Sequence, residues 1–218
     1  LSREPLDHIL GYREFYGRRF NISKDVLSPR PETEGLAAEA LRVLKPVDRP
    51  DILDLGTGSG AIIITLLAER AEARGLAVDL SLKALDVAKA NAQRHDVSGR
   101  LGFESGSWFD PVSGMFDLIV SNPPYISDEA MTRLEPEVQN FDPALALSGG
   151  RDGLDPYGLI IQGAPGFLRP RGWLMFEIGF DQGEAVAGMM RARGFESVRI
   201  LQDLAGHDRI VTGMKSEK

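Results

Sequence analysis

Asn122-Pro123-Pro124-Tyr125 stands directly after the mostly apolar run Phe116-Asp117-Leu118-Ile119-Val120-Ser121. A residue before proline is pushed toward extended backbone, and two prolines in succession stiffen the chain, so these residues predict a fixed elbow at a strand end. Asn122 Oδ1 and the Pro123 carbonyl can converge there as two acceptors. The Tyr125 ring supplies a flat wall, and Pro124 brings no N–H to compete. Two acceptors beside an aromatic plane suit a planar –NH2 group, one acceptor for each hydrogen. Such bonds draw electron density toward nitrogen and aim its lone pair at an electrophile. A planar amide or exocyclic amine is a poor nucleophile and needs that help. The plain alternative is a turn with a buried tyrosine.

A second group, Asp54-Leu55-Gly56-Thr57-Gly58-Ser59-Gly60, lies between an apolar run and a helical pattern. Glycines at that junction let the backbone turn sharply and approach a ligand, and the following helix offers free N–H groups and its positive end. Asp79 follows Gly60 by 19 residues, at the end of the next strand pattern, where a carboxylate can accept from two ribose hydroxyls. The spacing is G-x-G-x-G rather than G-x-G-x-x-G, and the whole group points to a nucleoside cofactor. Trp108 and Phe109 follow a third strand pattern; Trp108 is a candidate wall for the adenine, with core packing as the alternative. Asp54 is placed to orient the glycine loop. His8, His95 and His207 are scattered without ligand spacing, so no metal is expected.

These residues need a scaffold that delivers strand ends to one edge. Tyr12 to Ile22, around Gly17, predicts a β-hairpin. Leu36, Ala40, Leu41 and Leu44 share one face of a helix that stops before Pro46. Strands are expected at Asp51–Leu55, Leu76–Leu80, Arg100–Glu104, Phe116–Ser121 and Gly172–Ile178. Helices are expected at Gly60–Arg74, after an N-cap at Ser81, at Tyr157–Leu168 and at Asp181–Arg193. Val198–Gln202 and Arg209–Gly213 have too little chain between them for a helical crossover, so they predict an antiparallel edge. The fold class is therefore α/β, a mostly parallel sheet with helices on both faces. Pro123 to about Asp155 breaks the rhythm with Pro124, Pro136 and Pro143, Pro156 just beyond, and the pair Gly149-Gly150, and reads as one long irregular stretch, a place where function concentrates and otherwise a solvated surface excursion.

Composition narrows the field. The 218 residues carry a net charge of -7 and no cysteine. That excludes disulfides, thiolate metal sites and a cysteine nucleophile, and suits a reducing, cytoplasmic setting. The longest apolar run, Ala61–Ala68, falls far short of the ~20 residues a membrane span needs. Residues 1–34 hold six basic and six acidic side chains, so the negative charge lies in residues 35–218, and Pro123–Asp155 contributes -5 of it. Acidity near the elbow disfavours a phosphate backbone and suits a basic protein loop, so no nucleic acid and no membrane partner is expected. Leu1 in place of Met suggests a processed or trimmed start.

The quoted motifs resemble those of the HemK-type release-factor glutamine methyltransferases, a family of class I S-adenosylmethionine-dependent enzymes. Besides the glycine loop, Asp79 and the elbow, the resemblance runs through Arg13-Glu14-Phe15-Tyr16-Gly17 and Leu27-Ser28-Pro29-Arg30-Pro31-Glu32-Thr33-Glu34. It continues in Ala144-Leu145-Ala146-Leu147 and Gly149-Gly150-Arg151-Asp152-Gly153-Leu154. It implies a Rossmann-like sheet, with residues 1–34 as a hairpin and cofactor-covering segment and residues 35–218 as the catalytic domain. It also implies S-adenosylmethionine as cofactor and methylation of the glutamine amide in the Gly-Gly-Gln tip of a class I release factor. Gly56, Thr57, Gly58, Ser59 and Gly60 would hold the cofactor, Asp79 its ribose, and Trp108 would border the adenine. Asn122 and Pro123 would bind the amide NH2, with Tyr125 on the amide plane and Asn122 also beside the cofactor. Ser107 stands where members often carry an acid, and the family's helical N-terminal docking domain would precede this chain. Three rival readings use overlapping residues. A ribosomal-protein glutamine or an exocyclic amine of nucleic acid needs the same elbow, whereas a nicotinamide dehydrogenase needs only the glycine loop.

Overall fold

The expected strand–helix alternation is present across residues 3–217, which the computed structural model describes. A short helix α1 (Leu6–Leu10) leads into an antiparallel hairpin of β1 (Tyr12–Phe15) and β2 (Arg18–Asn21). After α2 (Thr33–Leu44) come β3 (Asp51–Leu55), α3 (Ala61–Glu69), β4 (Arg74–Asp79), α4 (Leu82–Arg94), β5 (Leu101–Ser105) and β6 (Phe116–Ser121). The chain continues through α5 (Asp128–Met131), α6 (Pro136–Phe141), α7 (Asp155–Gly163), β7 (Leu168–Glu177) and α8 (Gly183–Ala192). It ends in β8 (Glu196–Gln202) and β9 (Asp208–Met214).

One seven-stranded sheet runs β5-β4-β3-β6-β7-β9-β8. The pairs from β5 to β7 are parallel, and β9 is antiparallel to both β7 and β8, as the short connection between the last two strands requires. Side chains sort by the two-residue strand period. Ile52, Leu118, Val120 and Met175 pack with Leu36, Ala37 and Ala40 of α2 and with Ile63, Leu66 and Leu67 of α3. Leu53, Leu55, Ile119, Leu174 and Phe176 point the other way, onto Tyr157 and Ile160 of α7 and Val186 and Met190 of α8. The strand order reverses between β3 and β6, and in an open α/β sheet the crevice beyond that reversal is where ligands bind.

Boundaries depart from the sequence expectation for identifiable reasons. The helix expected to reach Arg74 ends at Glu69, where the Arg100 guanidinium donates to Leu67 O in its last turn at 2.8 Å and to Arg70 O and Ala73 O just beyond it, at 3.2 and 2.7 Å. The strand expected from Gly172 begins at Leu168 and carries a bulge against β6. The excursion after the elbow is not irregular throughout. Ser127 caps α5 by accepting from Ala130 N, and Pro136 occupies the first turn of α6. Part of its acidity is also spent on ion pairs. Asp142 Oδ2 lies 3.1 Å from Arg30 Nη2, and Glu137 lies 3.2 Å from Arg3 Nε.

Candidate active site

The glycine loop leaves the end of β3 with its backbone demands met. The N–H groups of Gly56 and Thr57 both donate to Val78 O, at 2.9 and 3.0 Å. Gly60 opens α3 at φ +80°, and a Cβ there would stand 2.6 Å from Ile64 Cδ1 and 3.2 Å from Ala88 Cβ, so glycine alone fits. A Cβ on Gly58 would meet nothing within 4 Å, because that stretch of loop faces a cavity of about 280 Å³. Asn91 of α4, fully buried, ties the loop to the hairpin: its Nδ2 donates to both Ser59 O and Asn21 O at 2.9 Å, and its Oδ1 accepts from Asn21 N at 2.8 Å.

Asp79 ends β4 on the cavity wall. Its two oxygens accept from Gly58 N and Ser81 N, each at 2.9 Å, and keep lone pairs for a ligand. Burial pushes its pKa up, and those amides oppose the shift. Behind it, Asp54 is fully buried and accepts from Thr57 Oγ1 at 2.7 Å, while its Oδ1 has no partner. Burial first, and the nearby charge of Asp79 as a lesser cause, raise the Asp54 carboxyl to about 7. Trp108 holds φ +44°, a conformation few non-glycine residues adopt, and lines the cavity beside Gly106 and Ser107. Residues 25–30, between the hairpin and α2, also line it.

The elbow follows β6, the strand next to β3. Asn122 and Pro124 line the cavity, so the structure brings them together with Gly56, Thr57, Gly58, Ser59, Asp79 and Trp108. Pro123 is buried and Tyr125 half-buried, and neither belongs to the cavity wall. Gly60 sits just behind it, at the start of α3. Tyr125 is instead held from behind by Gln182, whose Nε2 donates to Tyr125 O at 3.1 Å and Gly153 O at 3.2 Å. Gln182 Oε1 accepts from Gly179 N at 3.0 Å. The Tyr157 hydroxyl stands 3.3 Å from that same oxygen and 3.1 Å from Glu177 O. The Gly149–Leu154 run makes room for this: a Cβ on Gly149 would lie 2.8 Å from Pro124 O, and one on Gly153 would lie 2.3 Å from Tyr125 O. Sequence spacing had no way to single out Asn91, Gln182 or Glu177, because their partners at the site lie 29 or more residues away.

Residues 37–138 match the Methyltransferase small domain family. The release factor glutamine methyltransferase of Cereibacter sphaeroides is 51% identical over 211 residues, which cover 97% of this chain and 74% of that protein. The chain belongs to the release factor glutamine methyltransferase family. At the level of fold alone, the hMettl16 catalytic domain in complex with MAT2A 3'UTR hairpin 6 superposes with a TM-score of 0.67 at 18% identity, covering 91% of this chain and 75% of that one. An RNA methyltransferase from Salinibacter ruber in complex with S-adenosyl-L-homocysteine gives 0.56 at 16% identity, covering 88% and 95%. Membership makes the chain a methyltransferase that uses S-adenosylmethionine. Its own residues fit that group: a glycine loop with open space above Gly58, a carboxylate at Asp79 with free lone pairs, and the Trp108 indole beside Gly56, all lining one cavity. Among the described residues no helix is long and apolar enough to cross a membrane.

Two outcomes follow from the buried polar groups. Asp54 holds its proton in the folded state up to about pH 7 and loses it near 3.8 when unfolded, so it costs stability as pH rises through that window. Asp54→Asn keeps the acceptor for Thr57 without the titration. Relative to the parent, its urea-derived unfolding free energy should climb between pH 4 and 7, by at most about 1.4 kcal/mol per unit, then level off; a difference that is constant with pH contradicts the shift. Gln182→Leu strands several buried partners and should lower stability by about 2–4 kcal/mol while reducing turnover more than cofactor affinity. Thermal unfolding and calorimetry check both halves.

Proposed function

We propose that this chain methylates the side-chain amide nitrogen of the glutamine in the Gly-Gly-Gln motif of peptide chain release factors, with S-adenosylmethionine as methyl donor. The observation that carries this reading is the meeting of Asn122 and Pro124 with the Asp79–glycine-loop cradle in one cavity at the strand-order reversal. The names of the relatives support a release-factor glutamine as the target.

In this reading the glycine loop and Asp79 hold the nucleoside, and Trp108 covers the adenine. When bound, S-adenosylmethionine supplies a methyl group on a positively charged sulfur. Asn122 Oδ1 and the Pro123 carbonyl accept one hydrogen each from the glutamine NH2. Tyr125, clamped from behind by Gln182, keeps the amide plane from rotating. Nitrogen thereby gains electron density and presents its lone pair in line with the methyl carbon. Bound there, the donor would give up its methyl group and keep the electron pair of the broken sulfur–carbon bond, and the surplus proton on the glutamine nitrogen would leave to water. The chain contributes position and polarisation rather than a covalent intermediate.

Incubating the chain with methyl-labelled S-adenosylmethionine and a purified release factor should place label on that glutamine. Label only in a ribosomal protein, or only in nucleic acid, overturns the assignment of substrate. Asn122→Ala should cut turnover about 10²-fold or more, as loss of a preorganised polar partner does elsewhere, with a smaller change in cofactor affinity; an unchanged kcat refutes its role. Asp79→Ala should act chiefly on cofactor binding, and a calorimetric titration with normal affinity contradicts the ribose contact.

A further inference from the structure

Glu177 is a carboxyl that the mechanism above does not use. It ends β7 and is 2% exposed, and its Oε2 has no hydrogen-bond partner. Sheet register explains where it points. Ser121 pairs with Phe176, so Asn122 and Glu177 are the next residues of two adjacent parallel strands. The two-residue period that sends Leu118, Val120, Met175 and Ile210 toward α2 continues into Asn122 and Glu177. The first residue of α2, Thr33, lies on that side, is 3% exposed, lines the cavity, and has an unpartnered Oγ1. As neighbours on one face of two paired strands, the Glu177 and Asn122 side chains lie beside each other, on the side where α2 packs.

An asparagine side chain presents a donor at one end and an acceptor at the other, and the two ends are nearly isosteric. For Asn122 to receive an amide NH2, its Oδ1 has to face the cavity. A carboxylate behind it accepts and does not donate, so it admits Nδ2 and repels Oδ1. We propose that Glu177 is a positioning residue that fixes the orientation of the Asn122 carboxamide, holding Nδ2 inward so that Oδ1 is offered to substrate. Two separate stretches, Asn122–Tyr125 and Phe176–Gly179, thus serve one hydrogen-bond orientation. The inference deepens the methyltransferase reading of the elbow and rests on it for its consequence in turnover, though not for the contact itself.

Charged and titratable groups face Glu177 from each neighbour: Arg209 from β9, Glu32 ahead of α2, and the Tyr125 and Tyr157 phenols. Burial dominates and raises the carboxyl to about 7, with Thr33, Arg209 and Asn122 opposing the shift. Protonated, Glu177 can donate to Oδ1 and tolerates either orientation; ionised, it enforces one.

The contact is tested without any activity assay. In the 15N-labelled full chain, the Asn122 side-chain NH2 resonances, assigned by their loss in Asn122→Ser, should move between pH 5.5 and 8.5 with a midpoint near 7. They should be flat in Glu177→Gln. Resonances flat in the parent, or moving unchanged in Glu177→Gln, overturn the proposal. For the consequence, Glu177→Leu should lose about tenfold or more in kcat with cofactor affinity nearly unchanged, and Glu177→Gln, which like the protonated acid admits either orientation, should recover only part of the loss. Parental kcat in Glu177→Leu overturns it as well. If the parent transfers no methyl to any glutamine while the resonances titrate as described, the substrate reading fails and the contact stands.

Discussion

The site depends on where the parallel ladder of β3, β4 and β6 stops. A strand that ends inside a protein leaves backbone groups that must find partners or cost roughly 1–3 kcal/mol each. Here they find one another across strands. Val78 O takes two N–H groups from the glycine loop, the Ser121 hydroxyl donates to Leu55 O at 2.6 Å, and Gly106 N donates to Asp79 O. These bonds stitch the last rungs together, so the loops after them start from fixed positions. Adjacent strands lie about 4.8 Å apart, which sets the glycine loop and the elbow side by side without a dedicated hinge. Proximity of this kind is worth most when it is rigid before the ligands arrive.

Behind that edge the structure keeps polar groups in places where apolar ones would pack more cheaply. Gln182, buried, donates both amide hydrogens and accepts at Oε1 from Gly179 N, and a half-satisfied network there would be worse than a leucine. Asp54 and Glu177 are less comfortable, since each has an oxygen with no partner and each is pushed up to about 7 by burial. Two carboxyls disturbed in the same direction, both at carboxyl ends of central strands and both behind a motif residue, form a functional pattern rather than a packing one. Stability is given up at these positions so that Thr57 and Asn122 are held in one arrangement.

The sequence made the parts legible that obey a local rule. Central strands announced themselves by apolar runs ending in glycine or proline, and the elbow by a pair of prolines that no helix or strand interior accepts. The antiparallel edge followed from the shortness of one connection. What stayed hidden is non-local or marginal. The five residues of α1 bury nothing, so they leave no periodic trace. The end of α3 is capped by Arg100, which lies 33 residues downstream of the carbonyl it donates to. Asn91 reads as one more polar residue on a helix until Ser59 and Asn21 are seen on either side of it. The turns at Ser127 and Pro136 did carry start signals, a capping serine and an N1 proline, but helices of four and six residues are too short for periodicity to support them.

The wall formed by residues 25–30 shows how unevenly such a site is held. The hairpin beneath it is anchored by Phe15 and Phe20, both essentially inaccessible, with Ile22 and Val26 packed on Ala84. Each of these side chains contributes roughly 1.5–3 kcal/mol through burial. Nearer the cavity mouth the same segment is fastened by the Ser28 hydroxyl on Asp7 and by Arg30 on Asp142, with Arg30 nearly half exposed. The guanidinium half of that pair is open to water and salt, which screen it, while the Asp142 carboxyl is buried. His8 adds a 3.8 Å approach to Asp142, and burial raises that carboxyl against the pull of Arg30 and His8, so the fastening softens further as pH falls and Asp142 takes up a proton. Local opening follows the weakest contacts first. The apolar anchors therefore hold the hairpin and the glycine loop as one body, and the polar contacts of residues 28–30 are the part of the cavity lining that opens first.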